Sequence, residues 1–157
     1  MSETVADGQA AAAPSLIINA QYLRDLSFEN PRAPESLLGQ NAPPDVSINA
    51  DVRARQLGED VFEVVIDLKV EARQGEEVGF LIEVSYGAVA TIKNAPQELM
   101  AALILIEVPR ILFPFARNIV ADATRDGGFP PLLINPIDFG EIQRRKAQEG
   151  QAVAGNA

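Results

Sequence analysis

The side chains that carry most enzymatic chemistry are missing here. This chain of 157 residues has neither Cys nor His, which removes thiolate nucleophiles, disulfides, thiolate metal sites and the commonest general base. Carboxylates remain. Asp122 and Asp126 stand one helical turn apart, but a lone pair near a helix end is ordinarily a solvated edge. There is no Gly-rich phosphate loop, Ser elbow or internal repeat, so no enzyme and no cofactor are expected. What these residue types can do is bind. The chain is 47% hydrophobic, yet thirteen basic against twenty-two acidic residues give it a formal charge of −9. That balance favours basic partners and disfavours a phosphate backbone.

The apolar residues must be positioned by helices in the second half. Met100 to Ile106 is apolar on every side of a helix, so one face can serve the subunit's core while the other needs a partner. Met100, Leu103, Ile104 and Ile106 are therefore candidates for an interface between subunits. Asn94 and Gln97 offer an N-cap with a reciprocal partner, and Pro96 is tolerated in a first turn. Pro109 and Pro114 predict a kink or break near Val108. Ile111, Leu112, Phe113, Phe115, Ile119 and Val120 continue the pattern to a stop at Asp126-Gly127-Gly128. Beyond it, Phe129 to Phe139 is proline-rich, apolar and expected to lie extended against the subunit. A short final helix is expected over 141–149, with Ile142 its one large apolar anchor.

The first half reads as strands. Alternation puts Leu16, Ile18, Ala20, Tyr22, Leu26 and Phe28 on one face of the first strand, with Asn19, Gln21, Leu23, Asp25, Ser27 and Glu29 on the other. Residues 30–44 hold four prolines and are too long for a tight hairpin, so they should cross the sheet to a non-adjacent position, with Leu37 and Leu38 packing over the core. Val46, Ile48, Ala50 and Val52 give the second strand its apolar face, and Gln56 to Asp60 reads as a turn. Phe62, Val64, Ile66, Leu68 and Val70 give the third strand's apolar face, followed by a turn at Gln74-Gly75. The fourth strand places Phe80, Ile82, Val84 and Tyr86 inward, with a bulge or bend expected at Gly87. Four antiparallel strands followed by helices make the fold class α+β: a four-stranded antiparallel sheet with a long crossover, a long Pro-kinked helix and a short C-terminal helix.

This register collects carboxylates on the outward face: Asp25, Glu29, Asp45, Asp51, Glu63, Asp67, Glu71 and Glu83. Lys69 and Arg53 are among the few opposing charges, and Leu81 lies exposed among the acids. Such an excess of one sign weakens the sheet slightly and offers a dock to a basic partner. One domain is expected over 16–149, between disordered tails at 1–15 and 150–157. Glu3 and Asp7 stand where a secretory signal would be basic, and Glu107 and Arg110 interrupt the longest apolar stretch. Neither a secretory signal nor a membrane span is expected.

Four motifs, in order, carry a resemblance: Ser27-Phe28-Glu29-Asn30-Pro31, Gly75-Glu76-Glu77, Ile111-Leu112-Phe113-Pro114-Phe115-Ala116-Arg117, and Gly128-Phe129-Pro130 through Pro136-Ile137-Asp138-Phe139. Together, from about Tyr22 to Phe139, they resemble the SecB protein-export chaperones. The resemblance implies a cytosolic, ATP-independent holdase that binds unfolded secretory precursors and delivers them to the SecA motor ATPase. It also implies a homotetramer, a dimer of dimers whose long helices meet. SecA would dock on Asp25, Glu29, Leu81 and Glu83. A client groove between crossover, first helix and final helix would use Leu37, Leu38, Phe113, Phe115, Phe129, Ile134, Ile137 and Phe139. The final helix is more polar than is common in the family. Other readings are a SecB-like chaperone dedicated to a toxin–antitoxin pair, an oligomeric scaffold whose apolar helix serves only assembly, and a small-ligand groove of an enzyme.

Overall fold

In the computed structural model, which describes residues 12–39 and 43–154 and side chains as far as Gln151, period-two alternation produces four long strands. These are β1 (Ser15–Glu29), β2 (Asp45–Gly58), β3 (Val61–Gln74) and β4 (Glu77–Lys93). They form one antiparallel sheet in the order β1-β4-β3-β2. The crossover after β1 thus passes two strands to reach the far edge, while tight turns join β2 to β3 and β3 to β4. The first turn falls at Asp60 (φ 60°) and the second at Gly75 (φ 67°). β2 runs on to Gly58, so Gln56 and Leu57 belong to the strand and not to the turn expected there.

One face of this sheet makes the core. Val64, Ile66, Leu68 and Val70 of β3 and Phe80, Ile82, Val84 and Ala88 of β4 are buried against a helical stripe of Val108, Leu112, Ala116 and Val120. The four-residue spacing of that stripe keeps its members on one side of the helix. Each large side chain so buried contributes roughly 1.5–3 kcal/mol relative to staying exposed.

The helix that supplies the stripe spans Gln97–Asp126. It comprises α1 (Gln97–Ala102), a π-helical turn over Leu103–Glu107 and α2 (Val108–Asp126). The irregularity expected near Val108 is this π turn, closed by the Val108 N–H donating to the Leu103 carbonyl. The wider turn sits directly before Pro109, which has no N–H to offer, so the local frame is reset where the regular ladder would fail. Pro114, in contrast, lies inside an unbroken α2. The expected Asn94 cap is overturned too: Pro96 is the N-cap, no side chain caps the turn, and Asn94 takes a left-handed conformation (φ 59°) as the chain leaves β4. By length and composition alone this helix is long and apolar enough to cross a membrane, its most apolar 18 residues having a mean hydropathy of 1.9. Glu107 and Arg110 interrupt its apolar run as expected, and they pair with each other across one turn.

Its C-terminus stops as predicted. The Gly127 N–H bonds the Ala123 carbonyl, the Phe129 N–H bonds that of Thr124, and Gly128 has φ 92°. The Asn30 side chain donates to the Gly127 carbonyl and ties the start of the crossover to this corner. The buried Thr124 hydroxyl accepts the Leu132 N–H and holds the following extended segment against the helix. That segment ends one residue earlier than expected, since α3 runs from Phe139 to Ala154. Asp138 caps it by accepting the Glu141 N–H. The strand at Ser15 and the helix through Gly150 to Ala154 lie where tails were expected; residues 1–11 and 155–157 fall outside the described residues.

β1 departs from simple alternation. Its register against β4 shifts between Ile18 and Ala20 and again between Leu23 and Asp25, so Asn19 and Arg24 are extra residues. Between the two bulges every side chain changes face. Ala20 and Tyr22 therefore lie outward, opposite Val89 and Gly87, while Gln21 and Leu23 lie on the helix side, opposite Ala88 and Tyr86. No bulge occurs at Gly87, which pairs in register with both neighbours. Its role is space: a Cβ there would come within 2.9 Å of the Tyr22 ring.

Candidate functional site

On the helix side of the sheet, an open groove of about 490 Å³ runs between the edge strand β2, the segment before α3, and α3 itself. Ile48, Ile134, Ile137 and Ile142 supply its apolar surface; Asp51, Arg145 and Lys146 are among its charged lining. β2 has a neighbour on one side only, so Ile48 is 39% exposed although its alternation marks it for a core. α3 is anchored by the buried Phe139 and Ile142. Farther along, Lys146 fastens the helix to the sheet edge by pairing with Asp51 and donating to the Val52 carbonyl at 3.0 Å.

The residues expected to line a client groove divide among three places. Ile134 and Ile137 line the groove just described. Phe113 and Phe139 meet edge to face at 6.1 Å behind it, and both are buried, as is Ile134. Phe129 lies at the far end of the helix, 4.9 Å from Phe80 in a cluster that includes Phe28. Leu37 of the crossover reaches the same corner, beside Gly128, and Leu38 is 66% exposed nearby in sequence. Phe115 stacks on Tyr86 at 6.3 Å and remains half exposed. Leu133, more exposed than any of these at 70%, was missed. Periodicity cannot find it, because its segment has no helical or strand repeat.

Along the long helix, Met100, Leu103, Ile104 and Ile106 are all half-buried. Only 28% of the helix's most apolar window is buried within the subunit. Leu99 and Ile111 are exposed on it as well. The π turn lies in the middle of this apolar run.

The outward face of the sheet is polar and divided by charge. Asp25, Glu29, Leu81 and Glu83 are brought together on the paired strands β1 and β4: Glu29 lies opposite Leu81, and Glu83 opposite Ser27. Asp25 and Glu29 are exposed and, among the described residues, form no ion pair. Glu83 faces Lys69 at 3.8 Å, and Leu81 is half-buried, not exposed. The other carboxylates of this face are more committed than their sequence pattern suggests. Asp67 binds Arg53 and the Ser85 hydroxyl, and Glu71 binds Arg73. Burial pushes Asp67 up, but its bonds from Arg53 and then Ser85 outweigh this and leave its carboxyl below the usual range.

Glu63 is the clearest correction. It is buried, not a free surface acid. Its carboxylate accepts from the Tyr22 hydroxyl, from Arg55 at 2.8 Å and from Arg24 at 3.2 Å. The Arg55 bond first, and the Tyr22 bond second, hold it down to about 2. Tyr22 is pushed up to about 12, first by burial and then by its bond to Glu63. This cluster exists because the first bulge turned Tyr22 outward.

Three comparisons bear on this arrangement. A family model described as preprotein translocase subunit SecB matches residues 9–150. The protein-export protein SecB of Rhodospirillum rubrum is 50% identical over 159 residues, covering 100% of this chain and 98% of that one. Its counterpart from Bradyrhizobium sp. is 46% identical, with 96% and 93% covered. Among solved structures, a SecB-like chaperone from Mycobacterium tuberculosis, in complex with a peptide from an antitoxin, matches with a TM-score of 0.60. At 18% identity, covering 78% of this chain and 90% of that one, it shows the shared fold.

Proposed function

This chain belongs to the SecB family of protein-export chaperones, and from that premise we propose that it is an ATP-independent holdase. It keeps secretory precursors unfolded in the cytosol and passes them to the SecA motor. The observation that carries this reading is the long helix, whose most apolar stretch is only 28% buried within its subunit. So much uncovered apolar surface in a chain of charge −9 needs protein to cover it. Part of it joins subunits into a tetramer, a dimer of dimers, through Met100, Leu103, Ile104 and Ile106. The rest, with the β2–α3 groove and the exposed Leu38, Phe115 and Leu133, engages unfolded clients.

Binding of this kind is passive. Each apolar subsite contributes roughly 25 cal/mol per Å² of surface removed from water, and one flexible client engages several together. A folded protein keeps its apolar segments inside and is ignored. Release comes from a partner, for which the acidic group of Asp25, Glu29 and Glu83 around Leu81 is the dock, on the face opposite the groove.

Light scattering tests the holding step. Near-stoichiometric protein should suppress aggregation of a denatured secretory precursor without ATP while leaving the folded precursor unbound. Suppression that needs nucleotide, or equal binding of both forms, would contradict the holdase reading.

A further inference from the structure

The outward face has a second end that the acidic dock does not use. Across the sheet, the row Tyr22, Gly87, Val65, Arg53 is followed by the row Asp25, Ser85, Asp67, Asp51. The change of sign falls between them. It is made by the bulge that leaves Arg24 as an extra residue beside Asp25, so that neighbours in sequence serve opposite ends of one face. Arg24, Arg53 and Arg55 surround a depression of about 400 Å³ with Glu63 on its wall.

Three guanidinium groups there are paired with two carboxylates, Glu63 and Asp67, so one positive charge is left over and the pairs do not use every guanidinium N–H. Arg24 commits one Nη to Glu63, and Arg55 only its Nε. Arg53 gives its Nε and one Nη to Asp67. Among the described residues the other N–H groups have no further hydrogen-bond partner, and the side chains of Arg24, Arg53 and Arg55 are 46%, 51% and 66% exposed. Arginine forks with free N–H pairs are suited to carboxylates.

We propose that this arginine end of the outer face is a docking site for an acidic peptide segment of a partner protein. Arg53 and Arg55 are two residues apart on edge strand β2, about 7 Å, which matches carboxylates at alternate positions of an extended peptide. A nucleic acid does not fit, because the acidic row begins within one further strand repeat and the whole chain is at −9. The site stands apart from the client groove, and its test uses no client and no SecA.

The probe is a fluorescein-labelled Ser-Glu-Ser-Glu-Ser-Glu peptide titrated against the full-length assembled protein. Salt is held at about 0.1 M, so that a Debye length of about 10 Å removes repulsion from distant acids and leaves contact-range pairing. We expect saturable anisotropy, with movement of the Arg24, Arg53 and Arg55 Nε–H resonances in the unmutated protein. Arg24→Gln with Arg53→Gln should weaken binding at least about fivefold, and Arg53→Lys, which keeps charge but loses the fork, by less. No binding by the wild type, unmoved arginine resonances, or equal binding by a double variant with native circular dichroism would each overturn the site. So would displacement of the peptide by an equal concentration of a short oligothymidylate.

Discussion

The two sides of the sheet hold their residues by different physics. On the helix side, Ile66, Ile82 and Leu112 are buried by area alone, and any apolar side chain of similar shape would serve. On the outer side, Tyr22, Arg24, Arg55 and Glu63 meet through directed, charged hydrogen bonds, each depending on which way one side chain points. An apolar surface can therefore accept many sequences, as the proposed holdase role requires. A charged face discriminates, as a docking site must, and a single bulge is enough to redraw it.

The comparison breaks most visibly at the helix. Leu103→Asp or Ile104→Asp puts a carboxylate into a surface proposed to be covered by another subunit, where an unpaired charge costs at least several kcal/mol. Native mass spectrometry should show tetramer for the wild type and smaller species for either variant. A wild type that is monomeric at micromolar concentration would remove the interface.

On the outer face the largest single loss should come from Glu63→Gln, about 1.5–3 kcal/mol for charged hydrogen bonds left with a neutral partner. Its pH dependence has a definite sign. The folded-state pKa of Glu63 is depressed to about 2, so its contribution is fully present above the ordinary carboxylate value of 4.5 and is lost as pH falls from there towards 2. Melting temperatures across that window should drop more steeply in the wild type than in Glu63→Gln. Tyr22 works in the opposite sense: raised to about 12, it adds stability below pH 10 that is lost as pH climbs through 12.

The smallest effect should be at the sheet edge. Lys146→Met keeps the aliphatic stem but removes the half-exposed pair with Asp51, worth about 0–1 kcal/mol. Hydrogen exchange should accelerate in α3 beyond Gln143 while the Val120 stripe stays protected.

Much of this architecture was legible in the sequence, because its signals were periodic. Phe62 to Val70 and Phe80 to Tyr86 alternate cleanly, the prolines of the crossover ruled out a hairpin, and Gly127-Gly128 marked the helix stop. The failures share one cause. Alternation carries no mark of an inserted residue, so β1 was given one face where the bulges at Asn19 and Arg24 give it two. That hid the Tyr22–Glu63 cluster and made Glu63 look like a free acid. Asp25 and Glu29 were placed outward correctly because the second bulge cancels the first. The groove was legible only in part: Ile134 and Ile137 belong to it, but whether an apolar residue is core or lining depends on which strand is an edge, and that is a property of the assembled sheet.

The separateness of the two surfaces can be measured directly. Asp25→Lys combined with Glu83→Lys, both on the outer face, should leave folding, assembly mass and suppression of client aggregation intact. Calorimetric titration with SecA should show the wild-type complex weakening as salt rises, since exposed charges are screened beyond about 8 Å at physiological ionic strength. The variant should lose about several kcal/mol of that binding through charges now facing like charges. Normal SecA binding by the double variant, or loss of client holding in step with SecA binding, would contradict the two-surface account.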